Sequence, residues 1–270
     1  LLGFGIYSNR RRRKSKELAE SLYQEWKISI KKRVDILFNV MDRAGVVVGS
    51  ERDLPERGYE GETLRHSIIG IRAIDKAFIL TASVDRALEK VESLIHSGNV
   101  FRKTANSFSR NNYDEAIDIL ERHPLRTDPS LEKMKVAERG EETMLGNKLK
   151  VDKQELSFTA LIAEFDDTVS KANDALELVE HSWETIAARI EELGNHLELV
   201  RDKDAQVEAL AEASAPHDLF LLNPLFDQWL PAARTQHESG MKLGKHDPVK
   251  ALSEPIQRGD EMVSDMQLII

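Results

Sequence analysis

The stretch FTALIAEFDDTVSKANDALELVEHSWETIAARIEELGNHLELV, Phe158 to Val200, decides the fold. Its apolar residues recur in alternating steps of four and three: Phe158, Ile162, Phe165, Val169, Ala172, Leu176, Val179, Trp183, Ile186, Ile190, Leu193, Leu197 and Val200. No proline interrupts them. A repeat of about 3.5 residues is the seam of a helix packed lengthwise on other helices. At about 1.5 Å per residue this helix is roughly 65 Å long. It cannot bury its seam alone, so other helices of the chain must cover it. The spacing predicts an all-α protein: an elongated antiparallel helical bundle, spectrin-like or coiled-coil-like, with short accessory helices.

Two further segments supply long partners. Lys14 to Ala44 carries the stripe Ala19, Tyr23, Trp26, Ile30, Val34, Leu37, Met41, Ala44, and Gly45 follows as a stop. Glu62 onward carries Leu64, Ile68, Ile71, Ile74, Phe78, Thr81, Val84, Leu88, Val91 and Ile95, with Gly98 as its end. The glycine-rich connection Val46 to Gly61 joins them, with Val46–Val48 packing back or forming a short strand. Further on, Asn111 or Asn112 is expected to cap a short helix from Tyr113. A charged helix is expected from Ser130 to about Met144, a short apolar one around Leu225 to Ala233, and a last one from about Pro248. Pro255 is placed to kink that last helix. These elements divide into an end segment 1–13, a first helical unit 14–145 and a second unit 146–270 built on the long helix. Asp128-Pro129 and Asp247-Pro248 are each followed eleven residues after the aspartate by Arg-Gly-acid-acid, a weak sign of internal duplication.

Composition narrows the chemistry. The chain has no cysteine, which removes disulfides, thiolate metal sites and cysteine nucleophiles. Through Ala44 there are eleven Lys/Arg and five Asp/Glu, a net of +6 against a total of −9, so the remainder carries −15. An acidic body with one basic end lacks the broad basic face of a nucleic-acid binder. A bundle could hold a di-metal centre through inward Glu-x-x-His pairs, but none occurs. Glu62/His66, Glu92/His96, Glu177/His181 and Glu192/His196 stand at i, i+4 beside the apolar stripes, which is ordinary helix-surface pairing. His123, His217, His237 and His246 fall in loop-like segments without ligand spacing. There is no phosphate-binding glycine loop and no nucleophile elbow. Asp166 and Asp167 point different ways around their helix and are expected to be solvated. Trp26, Trp183 and Trp229 are expected in the core. No catalytic, cofactor-binding or metal-binding residue is assigned.

The N-terminus carries the one regional signal. LLGFGIY, Leu1 to Tyr7, is too short to span a bilayer, which needs about 20 apolar residues. It runs at once into Arg10, Arg11, Arg12, Arg13, Lys14 and Lys16. An apolar end entering a basic cluster looks like the exit of a transmembrane helix, and its cations would meet anionic lipid head groups. The positive-inside tendency would place everything after Arg10 in the cytoplasm. A chain starting at Leu1 rather than methionine is expected to be a fragment or a processed product.

Three stretches together, LLGFGIYSNRRRRK, GETLRHSIIGIRAIDKAFILTASVDRALEKVESLI (Gly61 to Ile95) and HDPVKALSEP (His246 to Pro255), resemble a known family. It is the helical region that follows a TPM domain and a transmembrane helix in some bacterial membrane proteins. The shared pattern is Gly-Glu-Thr opening one long helix and Asp-Pro with Ala-Leu opening a late one. The resemblance implies an extracytoplasmic domain before Leu1, a single membrane span and a cytoplasmic helical part. It carries over no catalytic residues. The expected function is a membrane-tethered, non-catalytic scaffold or protein-interaction domain, meeting a protein partner or its own copy through helix surfaces. The alternative is a bundle enzyme or ligand-binding domain whose site is hidden in the sequence.

Overall fold

Phe158 opens one uninterrupted helix that continues to Ser214, past the expected end at Val200. The extension is rich in alanine (Ala205, Ala209, Ala211, Ala213), which favours helix without needing a buried face. The computed structural model describes residues 2–100, 106–121, 134–135, 155–214 and 223–269. In order the helices are α1 (Leu2–Val47), α2 (Gly61–Val100), α3 (Asn106–Glu121), α4 (Phe158–Ser214), α5 (Asn223–Leu243), α6 (Pro248–Ala251) and α7 (Gln257–Ile269). A π-helical turn, Leu252–Ile256, joins the last two around the buried Pro255. The protein is an all-α helical bundle. The one strand pairing among the described residues is Met134–Lys135 against Glu155–Leu156, two residues on each side. Met134 and Lys135 fall where the charged helix was expected. At these two positions the strand pairing stands in place of the expected helix. The rest of it, with Asp128 and Pro129, lies outside the described residues, as does the expected division between 145 and 146.

The chain forms two compact units, neither continuous in sequence: residues 1–44 with 70–173, and 45–69 with 174–270. In the first unit three helices share a core. Trp26 of α1 meets Phe158 of α4 edge-on at 5.1 Å between ring centroids, and Phe38 meets Phe78 of α2 at 5.9 Å. Arg33 clamps Asp166 through two hydrogen bonds of 2.8 and 2.9 Å, Arg43 reaches Asn173 at 3.0 Å, and Lys76 pairs with Glu164. The arginine pairings set α1 and α4 parallel within this unit, and Phe38–Phe78 with Glu20–Asn99 sets α2 against them. Phe158, Ile162, Phe165, Val169 and Ala172 are all buried, as the seam requires. Tyr113, Ala116 and Leu120 bury the inner face of α3. Helix α3 begins at Asn106, upstream of the expected caps, so Asn111 and Asn112 lie inside it. An Arg110–Asp114 pair at i, i+4 supports that extra turn.

In the second unit the seam continues through Leu176, Val179, Ile186, Leu193, Leu197 and Val200, all buried, with Trp183 and Ile190 half-buried. Helices α5 and α7 cover it, and glycines let them approach closely. A Cβ on Gly259 would stand 2.6 Å from Leu193 Cδ2, and one on Gly240 would stand 2.4 Å from Ile256 Cδ1. Trp229 packs at the edge of this core and Trp183 lies against Tyr59, 5.3 Å between ring centroids, so both serve packing as the sequence suggested. His237 lies within α5 rather than in a loop, its Nε2 3.0 Å from the Ile190 carbonyl of α4. The connection from Val48 to Glu60 is a folded turn system with no strand. Arg57 and the Tyr59 hydroxyl donate to the last carbonyls of α1, the latter to Val47 O at 2.6 Å. Val48 and Leu54 are fully buried, whereas Val46 is exposed.

Candidate functional site

Two polar centres stand out, one in each unit. In the second unit, Asp247 precedes Pro248 and caps α6, accepting from Lys250 N at 3.2 Å. Proline at the first helical position has no N–H to satisfy and a backbone already set for helix. The same carboxylate also caps α2, accepting from Glu62 N, Thr63 N and Thr63 Oγ1, each at 2.9 Å. Thr63 Oγ1 in turn accepts from Val249 N at 3.1 Å. Asp247 and Thr63 are buried, so one carboxylate and one hydroxyl cap the starts of two helices from inside the protein. Gly61 makes room for this. Its φ of +51° is left-handed, and a Cβ there would lie 1.9 Å from Asp247 Oδ2. Glu60 N donates to His246 O at 2.9 Å and completes the contact. Gly-Glu-Thr and Asp-Pro, two separate helix openings in the sequence, are thus the two halves of one interaction. Its chemistry is structural: the two carboxylate oxygens are taken up by four donors.

In the first unit, α1 and α2 flank an open cavity of about 410 Å³ lined by Glu20, Tyr23, Gln24, Glu92, Ile95, His96 and Asn99. Glu20, Tyr23 and Gln24 share one face of α1 by their i, i+3, i+4 spacing. Glu92, Ile95, His96 and Asn99 do the same on α2. Tyr23 is 8% exposed, and its ring carries the Lys27 ammonium 5.6 Å from the centroid. Burial holds the Tyr23 phenol above its ordinary value, helped by a hydrogen bond to Glu92 and by that carboxylate's charge. The phenol is therefore a neutral donor at physiological pH. Asn99 bridges two elements, accepting from Tyr113 OH of α3 at 2.8 Å and donating to Glu20 at 3.5 Å. Lys16 stands 3.5 Å from Glu20. The sequence placed Tyr23 in the core and Glu92/His96 on the surface. It gave no sign that the two faces meet, because spacing defines faces and not which face opposes which.

The remaining sequence-singled residues have plain positions. Asp166 holds Arg33, and Asp167 pairs with Lys171 at 2.5 Å on its own helix. His66 approaches Glu62 to 3.8 Å, a surface pair. The basic run lies inside α1, which starts at Leu2 and not at Lys14, since no proline or capping break separates the apolar end from the cations. Arg10, Arg11, Arg13 and Lys14 are exposed, Lys16 is half-buried, and Arg12 is buried at 8% exposure. Arg13 pairs with Glu17 at 2.8 Å. No helix among the described residues is long and apolar enough to cross a membrane. No group of three or more His, Asp or Glu among them could hold a metal ion. Comparison of the chain with protein families, with curated proteins and with solved structures finds no match in any of the three.

Proposed function

We propose that this chain is a helical scaffold tethered at the cytoplasmic face of a membrane, as in the TPM-linked helical regions that its sequence resembles. The observation that carries the reading is α1. Its apolar first residues and its basic run, Arg10 to Lys16, belong to one continuous helix. Exposed Arg10, Arg11, Arg13 and Lys14 are placed to meet anionic head groups just below an apolar segment. The non-catalytic part of the reading is supported by how the polar side chains are used. The buried Asp247 and Thr63 cap helices, and Arg33, Lys76 and Arg189 tie helices together through Asp166, Glu164 and Asp260. The outer faces of α1 and α4 are charged and suit side-by-side association with a partner's helix. Protease treatment of intact cells bearing the full-length protein tests the topology. The helical part is expected to stay uncut until the cells are opened. Cleavage from outside would reverse the orientation, and recovery of the full-length protein in the soluble fraction would end the tethering proposal.

A further inference from the structure

We propose that the cavity between α1 and α2 in the first unit binds a small organic cation carrying two or more amino groups on a short alkyl backbone. Its volume, about 410 Å³, lies within the usual span of ligand sites, roughly 300–1,000 Å³. Tyr23 and Ile95, each 8% exposed, give it one aromatic and one aliphatic wall. The rim carries two carboxylates, Glu20 and Glu92, with the amides of Gln24 and Asn99. Both carboxylates are held by neighbours in the same lining. The Tyr23 hydroxyl donates to Glu92, and Asn99 Nδ2 donates to Glu20. Each ionised carboxylate offers about four lone-pair sites, so acceptor capacity remains for a ligand. The chain's own lysines show the chemistry these groups accept. The Lys16 ammonium rests 3.5 Å from Glu20, and the Lys27 ammonium sits over the Tyr23 ring. Two carboxylates disfavour an anion, and His96 completes no metal cluster with them. A diamine or polyamine fits both halves of the site, its methylenes on Tyr23 and Ile95 and its ammoniums on Glu20 and Glu92.

Spermidine, titrated calorimetrically into the whole chain, tests this. Saturable binding at one site per chain is expected. Glu20→Gln with Glu92→Gln should weaken it at least tenfold. Gln24→Lys adds a cation at the exposed rim and removes no buried contact, so it should weaken binding similarly in a chain that still folds. The protein is acidic overall, so a control pair on the exposed face of α4, Glu184→Gln with Glu191→Gln, should leave the affinity unchanged. Equal loss in the control pair would mean general counter-ion attraction and overturn the site. So would unaltered binding in Gln24→Lys, or the absence of saturable binding in the unmodified chain.

Discussion

Leu193→Asp is expected to unfold the second unit. Leu193 is fully buried on the α4 seam, and its Cδ2 fills the space that Gly259 leaves on α7. Truncating a buried leucine alone costs about 2–5 kcal/mol. The aspartate puts a carboxylate among the apolar side chains of that core, which costs several kcal/mol more or forces the group to stay protonated. Together these rival the whole stability of a typical domain, about 5–15 kcal/mol. Circular dichroism should show a large loss of helical signal at 25 °C, or a melting temperature lowered by well over ten degrees. Ala188→Asp, at an exposed position of the same helix, should change stability by no more than about 1 kcal/mol. An unchanged melting temperature for Leu193→Asp would contradict the register of the seam.

The second large effect concerns one carboxylate. Asp247→Ala removes the side-chain cap of both α2 and α6 and leaves Glu62 N, Thr63 N and Lys250 N without their acceptor. Each cap is worth about 0.5–2 kcal/mol, and a buried unsatisfied N–H costs about 1–3 kcal/mol. A loss of about 3 kcal/mol is expected, or roughly 6–12 °C in melting temperature for a chain of this size. Gly61→Ala should cost nearly as much. It places a side chain in a left-handed backbone, at about 1–2 kcal/mol, and pushes the carboxylate off its donors. The two changes share a mechanism, so they must not add. In the Asp247→Ala background, Gly61→Ala should cost only the backbone part. Additive losses in thermal or denaturant melts would show that the glycine and the aspartate act separately.

The long-helix architecture was legible because it depends on periodicity. The Phe158–Val200 spacing predicted buried positions from Phe158 to Val200, and only Trp183 and Ile190 are half-buried. The seam of α2 was legible only in part. Ile71, Ile74, Val84, Val91 and Ile95 are buried as expected, but so are Thr63, Ser67, Ala77, Ser83 and Ala87. Small and polar residues face the core there, and a reading that follows large apolar side chains passes over them. Ser67 and Ser83 bury their hydroxyls by donating back to Thr63 O and Ile79 O, a local bond that leaves no trace in the spacing. Asp247 and Thr63 each carried a visible capping signal, yet 184 residues separate them, and nothing local says that one caps the other. The cavity was hidden for a similar reason. Tyr23 and Glu92 each suit their own helix, and only the antiparallel pairing of α1 with α2 brings them together.

The scaffold proposal stands or falls on what surrounds the chain in its native membrane. The direct measurement is proximity labelling with the full-length protein, a labelling enzyme being fused to its helical part, followed by melting of the purified chain against a metabolite library. The account predicts labelled proteins from the cytoplasmic side of that membrane, recovered reproducibly and lost when exposed charges on the outer face of α4 are reversed. No protein partner, together with a metabolite that raises the melting temperature by several degrees and is turned over by the chain, would contradict it.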